Sequence, residues 1–161
     1  MKFSAQDHNM MARALQLAGK ACYTTAPNPA VGCVILSNNK IIGEGFTRPA
    51  GGNHAEIEAL QMAGDVPGCT VYVTLEPCSH QGKTGPCVQA LIKAKVSRVI
   101  VATEDPNPKV SGSGIKQLQD AGIEVEVGLM EAQARELNKG FLKRVTEGTP
   151  WVLVKMAASL D

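Results

Sequence analysis

The sequence predicts an α/β fold, a mixed central sheet of about five strands with helices on both faces. Three observations lead there. Apolar β-branched runs alternate with stretches of helical periodicity. The first two runs are joined by Asn38-Asn39, the mark of a hairpin. Each later strand is separated from the next by a helix, which is the pattern of parallel crossovers.

Element by element, Ser4 with Asp7 has the form of a capping box. Met11, Ala14, Leu15, Ala18 and Cys22 keep an i, i+3, i+4 spacing, so a first helix is expected over 5–22. After the turn TTAPNPAVG, 32–36 and 40–45 read as the hairpin strands. The stretch 54–63 reads as a helix closed by Gly64, and 70–75 as a strand. Pro86-Cys87 opens a helix to about residue 95 that leads into a buried strand over 98–102. A helix over 114–121 stops at Gly122, a strand follows over 124–127, and a last helix is expected over 131–144. Pro150 then starts a β-like run, WVLVKM, with two readings: an edge strand of this domain, or the connection into another one. The domain division is set at 1–145 for the main domain and 146–161 for a linker with the first strand of a further domain.

Composition sets limits on function. At 161 residues, 44% hydrophobic and 19% charged, the chain can bury one substantial core. Sixteen basic against fifteen acidic residues give no field for nucleic acid, and 4% aromatics leave little for a base-stacking platform. No run approaches the roughly 20 apolar residues of a membrane span. The opening MKFSAQDHNMMA is broken by polar residues where a signal peptide would be apolar. A cytoplasmic location is expected, with neither nucleic acid nor membrane as partner.

Five cysteines, an odd number, argue for reduced thiols over a disulfide framework. Cys22, Cys33 and Cys69 fall in apolar settings and read as core thiols. With only three histidines, His8, His54 and His80, any metal site draws on a short set of residues. His54-Ala55-Glu56, Pro77-Cys78 and Pro86-Cys87 stand out. One imidazole and two thiolates suit zinc and leave a fourth tetrahedral position open. The cysteine segments lie where coil or strand enters a helix, whose positive end favours the thiolate. Glu56, two residues after His54, is a poor co-ligand on a regular helix but could curl back to move protons. Taken singly, a His-x-Glu or a buried cysteine is commonplace. Their order, His-x-Glu then Pro-Cys then Cys, resembles the zinc deaminase signature. The step from Cys78 to Cys87 is longer than that signature's Cys-x-x-Cys. SHQGKTGP must therefore loop out beside the metal, as a lid or specificity segment.

A closer resemblance rests on PNPAVG, HAE, VTLEPCSHQGKTGPC, EDPNPKVSGSG, LNKGFLKR and ASLD. These resemble the deaminase domain of the bifunctional riboflavin-biosynthesis deaminase/reductase, over residues 4–161. The resemblance implies a three-layer α/β/α cytidine deaminase-like fold. It also implies hydrolytic deamination of 2,5-diamino-6-(5-phosphoribosylamino)pyrimidin-4(3H)-one, with release of ammonia. By motif position, His54, Cys78 and Cys87 become the ligands of one zinc per chain and Glu56 the general acid/base. Substrate contacts are expected from Asn28, His80, Lys83, Asp105 and Asn107. Lys83 is a mobile charge suited to phosphate, with Gly82 and Gly85 beside it, while Asp105 and Asn107 follow a strand end where open α/β sheets bind ligands. Their plainer readings are turn chemistry and a solvated loop charge.

Family members often place a histidine near Thr47, so Thr47 or Arg48 is expected to serve differently. His80 could instead close a Cys2His2 structural site. Family members continue into a reductase, so NADPH belongs to that missing part, which would be a covalently linked partner. They are commonly homo-oligomers, and the same is expected here. The competing readings are a cytidine or deoxycytidylate deaminase, a tRNA adenosine deaminase, and a structural-zinc interaction module without turnover. Near-neutral charge counts against tRNA, and the long insert against all three enzymes.

Overall fold

The computed structural model describes residues 2–64, 67–80, 85–107 and 111–159. Helix α1 (Ala5–Gly19) precedes the hairpin β1 (Gly32–Ser37) and β2 (Lys40–Phe46). Then come α2 (Ala55–Ala63), β3 (Thr70–Val73), α3 (Cys87–Lys93), β4 (Arg98–Val101), α4 (Ser113–Asp120) and β5 (Glu124–Val127). Two helices, α5 (Glu131–Leu137) and α6 (Lys139–Glu147), close the series. The strands form one sheet in the order β2-β1-β3-β4-β5, as the predicted five-stranded mixed sheet requires. β1 pairs antiparallel with β2 and β3, while β3, β4 and β5 run parallel.

Strand side chains alternate between two apolar layers because successive Cβ atoms leave opposite faces of a sheet. Cys33, Ile35, Val71, Val73, Val99 and Val101 pack on the face covered by residues of α2, α3 and α4. Val34, Leu36, Tyr72 and Ile100 pack with Met11, Ala14 and Leu17 of α1 and Ala134 of α5. The two hairpin-turn asparagines have φ of 48° and 62°, the left-handed pair that a two-residue turn demands. Helix α2 lies directly on β2. A Cβ added to Gly45 would sit 2.2 Å from the Ala55 carbonyl oxygen, so only glycine allows this approach.

The capping box at Ser4 forms, with the Ser4 hydroxyl accepting from the Asp7 N–H. Asp7 is buried and is reached by the Tyr72 hydroxyl at 2.9 Å and Arg98 Nη1 at 2.9 Å, which tie α1 to the sheet. Burial pushes its carboxyl up, but the Ser4 backbone N–H, Arg98, the Ser4 hydroxyl and Tyr72 outweigh this and hold it at about 2.

Several expected boundaries shift for identifiable reasons. Helix α1 ends at Gly19 instead of residue 22, because the next turns tighten to i→i−3 bonds from Lys20, Ala21 and Cys22. The last helix is two helices. Asn138, at φ −105° and ψ 15°, leaves the helical path between them, and its side chain bonds elsewhere. The run WVLVKM is not an edge strand: residues 149–159 have no regular structure, and Val152, Leu153, Val154 and Met156 are exposed. Of the three cysteines read as core thiols, Cys33 and Cys69 are buried, while Cys22 is only partly so.

Candidate metal centre and pocket

His54 is the N-cap of α2, with extended backbone (φ −76°, ψ 161°) and no capping bond from its side chain. Its ring is therefore available to face the sulfur atoms. Its Nδ1 lies 3.5 Å from Cys78 Sγ and 3.2 Å from Cys87 Sγ. Cys78 follows the end of β3, and Cys87 is the first residue of α3. The nine-residue step closes because the Cys87 N–H donates to Cys78 Sγ at 3.3 Å and the Val88 N–H to the Cys78 carbonyl at 3.2 Å. The three donor atoms lie within 4.8 Å of one another. Tetrahedral zinc with ordinary Zn–N and Zn–S bonds needs N···S separations of about 3.5 Å, so this donor set fits. Among the described residues, His80 is not part of the cluster, which leaves three donors and no closed Cys2His2 set.

The electrostatics favour a cation. Cys78 is held down to about 4 by the Cys87 thiol, by His54 and by the Cys87 N–H, against the effect of burial. Cys87, the donor in that pair, is pushed up by its bond to Cys78 and by burial. His54 is raised, first by its bond to Cys78.

Glu56 is buried in the first turn of α2. Burial pushes its carboxyl up to about 7, and the Cys78 charge adds to this, while its own backbone N–H, His54 and the Cys87 thiol oppose it. The expected obstacle, two helical residues of rotation between His54 and Glu56, does not arise. His54 is outside the helix, so the side chains need not be separated by two helical steps.

These groups open onto a cavity of about 380 Å³ lined by Asn28, Thr47, His54, Glu56, Glu76 and Cys78, with His80, Asp105, Asn107 and Phe141 around them. Of the expected substrate contacts, Asn28, His80, Asp105 and Asn107 meet here; Lys83 and Gly82 lie outside the described residues. Asp105 and Asn107 sit beyond the carboxyl end of β4, and Asp105 Oδ1 accepts the Asn107 N–H at 2.9 Å. The Asp105 carboxyl is raised, chiefly by burial. Thr47 is buried and its hydroxyl accepts the Val31 N–H at 3.1 Å, whereas Arg48 turns to Glu58.

Sequence reasoning missed Glu76 and Phe141 as lining residues. For Glu76 a signal existed: an acid between Leu75 and Pro77 in an otherwise apolar strand end is seldom left without partners. Phe141 carried none. Asn138, also missed, is buried. Its Oδ1 accepts the Ala30 N–H and its Nδ2 donates to the Ala30 carbonyl, both at 2.8 Å, and so it holds the turn that carries Asn28. No helix among the described residues is long and apolar enough to cross a membrane.

Comparison with known proteins agrees with this geometry. Residues 4–103 match the cytidine and deoxycytidylate deaminase zinc-binding region. The chain is 56% identical to the riboflavin biosynthesis protein RibD of Haemophilus influenzae, over 100% of this chain and 44% of that protein. It is 51% identical to the diaminohydroxyphosphoribosylamino-pyrimidine deaminase of Buchnera aphidicola from Schizaphis graminum, over 90% of this chain and 99% of that one. The structure of Acinetobacter baumannii RibD superposes with a TM-score of 0.89 at 52% identity, covering 91% of this chain and 42% of that one. The chain thus spans less than half the length of the RibD proteins it matches.

Proposed function

The chain belongs to the cytidine and deoxycytidylate deaminase zinc-binding family and, within it, to the diaminohydroxyphosphoribosylaminopyrimidine deaminases, and from that premise we propose that it hydrolyses the 2-amino group of 2,5-diamino-6-(5-phosphoribosylamino)pyrimidin-4(3H)-one. The observation that carries this reading is a buried carboxyl, Glu56, beside a His-Cys-Cys donor set at the floor of a cavity rimmed by neutral and acidic hydrogen-bonding groups.

His54, Cys78 and Cys87 would hold the zinc. When bound, zinc supplies a Lewis acid that brings a water toward a pKa of about 7 and so makes it a nucleophile at neutral pH. Glu56 takes a proton from the attacking water as the C–O bond forms at the amine-bearing ring carbon, and delivers it to the neighbouring ring nitrogen. It then carries the proton of the newly added hydroxyl to the exocyclic nitrogen, and as that oxygen becomes a carbonyl the C–N bond breaks to release ammonia. A carboxyl pushed up to about 7 is suited to both directions of transfer.

Asn28, His80, Asp105 and Asn107 orient the pyrimidine and its ribosyl tail. Among the described residues, the cavity lining includes no lysine or arginine. A phosphate therefore needs a cation from elsewhere, and Lys83, three residues after His80, is the residue we assign to it. Residues 146–161 are proposed to lead into the reductase part found in RibD proteins, and NADPH would bind there. A homo-oligomer in the cytoplasm completes the reading, and five unpaired cysteines support the compartment.

The test is ammonia release by the zinc-loaded chain from this substrate, set beside cytidine, deoxycytidylate and an adenosine-bearing tRNA stem-loop. Release from the first alone is expected. Release only from another substrate would keep the chemistry and reject this substrate. None from any would leave a structural zinc site, or a dependence on the reductase part, in place of turnover by this chain alone.

A further inference from the structure

Asp105 and Asn107, which line the pocket, lie in the connection between β4 and α4. Two backbone points of that connection rest on one atom. Glu76 Oε2 accepts the Asp105 N–H at 3.1 Å and the Gly112 N–H at 3.0 Å. The other oxygen, Oε1, accepts the Gly114 N–H at 2.8 Å and the Ile115 N–H at 3.3 Å, at the start of α4. Glu76 itself is only 4% exposed, and its own N–H donates to the Thr103 carbonyl at 3.0 Å.

An ionised carboxylate is an acceptor with about four lone-pair sites, and here four backbone donors of fixed direction occupy them. No lone pair remains for a substrate, which separates Glu76 from the catalytic groups. Among the described residues, its side-chain partners are backbone amides alone. Two further contacts brace the same junction. A Cβ on Gly114 would meet the Pro77 carbonyl oxygen at 2.2 Å, and the Ser79 and Ser113 hydroxyls lie 2.6 Å apart. Glu76 stands two residues before Cys78. The short stretch Glu76-Pro77-Cys78 thus joins the metal cluster at one end to the Asp105–Asn107 loop at the other.

We propose that Glu76 is a positioning residue: by holding the backbone at Asp105 and at Gly112 it sets Asp105 and Asn107 at a fixed distance from the metal centre and so determines substrate affinity. The inference rests on the deaminase reading for its substrate. Glutamine has nearly the shape of glutamate, but its NH2 would face one pair of N–H groups, leaving them unpartnered and loosening the hold on Asp105 and Gly112 or on the start of α4.

The test compares wild type with Glu76→Gln, both zinc-loaded. Zinc is expected to stay near one per chain, while amide exchange at Asp105, Gly112, Gly114 and Ile115 accelerates at least about tenfold and α1 is unaffected. KM should rise about tenfold and kcat should change less than about threefold, because the loop binds and does not react. Combining Glu76→Gln with Asp105→Asn should raise KM by less than about twofold beyond Asp105→Asn alone, since Glu76 acts through that loop. Glu76→Asp, which keeps the acceptors on a shorter stem, should recover part of both effects. Multiplying KM effects, a fall in kcat at constant KM, loss of zinc, or unchanged exchange would each overturn the proposal. A wild-type chain without turnover would sink the functional reading alone, because the exchange comparison needs no substrate.

Discussion

Replacing Gly45 by alanine should damage the metal centre from the far side of α2. The added Cβ would lie 2.2 Å from the Ala55 carbonyl oxygen, 2.7 Å from the Ala59 nitrogen and 2.8 Å from Glu58 Cβ. Contact in the ordinary range begins at 3.4 Å, so 3.4 − 2.2 asks the first turn of α2 to withdraw by 1.2 Å. The obstacle is helix backbone, which cannot rotate aside as a side chain can. Ala55 stands between His54 and Glu56, so both move with it. Metal–ligand distances tolerate only about 0.2 Å, and zinc affinity should fall at least about tenfold. Overpacking of this kind costs about 1–3 kcal/mol, or roughly 3–10 °C in melting temperature for a domain of this size. The assay is zinc competition titration with a chromogenic chelator, paired with thermal unfolding of the metal-free chain. Gly19→Ala is the control: nothing lies within 4 Å of its added Cβ at the end of α1, so stability should hold or rise by up to about 1 kcal/mol. A Gly45→Ala chain that binds zinc as tightly as wild type and melts within a degree of it would refute the argument.

Other outcomes follow from the same geometry. Asp7 is depressed from 3.8 to about 2 on folding, so its contribution is fully present above pH 4 and is lost as pH falls toward 2. Allowing for screening at Arg98, whose side chain is 24% exposed, this is worth about 1–2 kcal/mol. Urea midpoints at pH 6 and pH 2.5 should differ by less in Asp7→Asn than in wild type, and equal differences would exclude Asp7 as a source. Glu56→Gln should retain zinc by elemental analysis and lose turnover by at least about a hundredfold; substantial residual ammonia release would remove its proton-transfer role. His80→Ala should also keep about one zinc per chain, and metal loss there would point to a closed four-ligand site.

Much of the architecture was readable because strands covered on both faces leave short continuous apolar runs between stretches of helical periodicity. Val71-Tyr72-Val73 and Val99-Ile100-Val101 are apolar on both faces, as strands covered on both sides must be. The caps were equally local: Ser4 with Asp7, Asn38-Asn39, and Gly64 after α2 each act within a few residues. What was missed depends on distant partners. Nothing near Asn138 announces that its amide serves Ala30, 108 positions earlier, at the cost of a continuous last helix. The metal donors were found by residue type and order, since few side chains can bind zinc. The partners of Glu76 were not, because backbone N–H groups belong to every residue and leave no mark in composition.

The double bond between Asn138 and Ala30 also decides how this domain could be cut or transplanted. The stretch matched by the wider zinc deaminase family ends at residue 103, yet the turn carrying Asn28 is held by an amide from residue 138, and Phe141 walls the cavity beyond it. A minimal version trimmed to the matched stretch would keep all three donors while leaving the Ala30 N–H and carbonyl without their partner. Moving the proposed substrate preference onto another zinc deaminase would likewise call for residues 27–31 and 138–144 to travel as a matched pair, because the Ala30 backbone groups are met by the Asn138 amide.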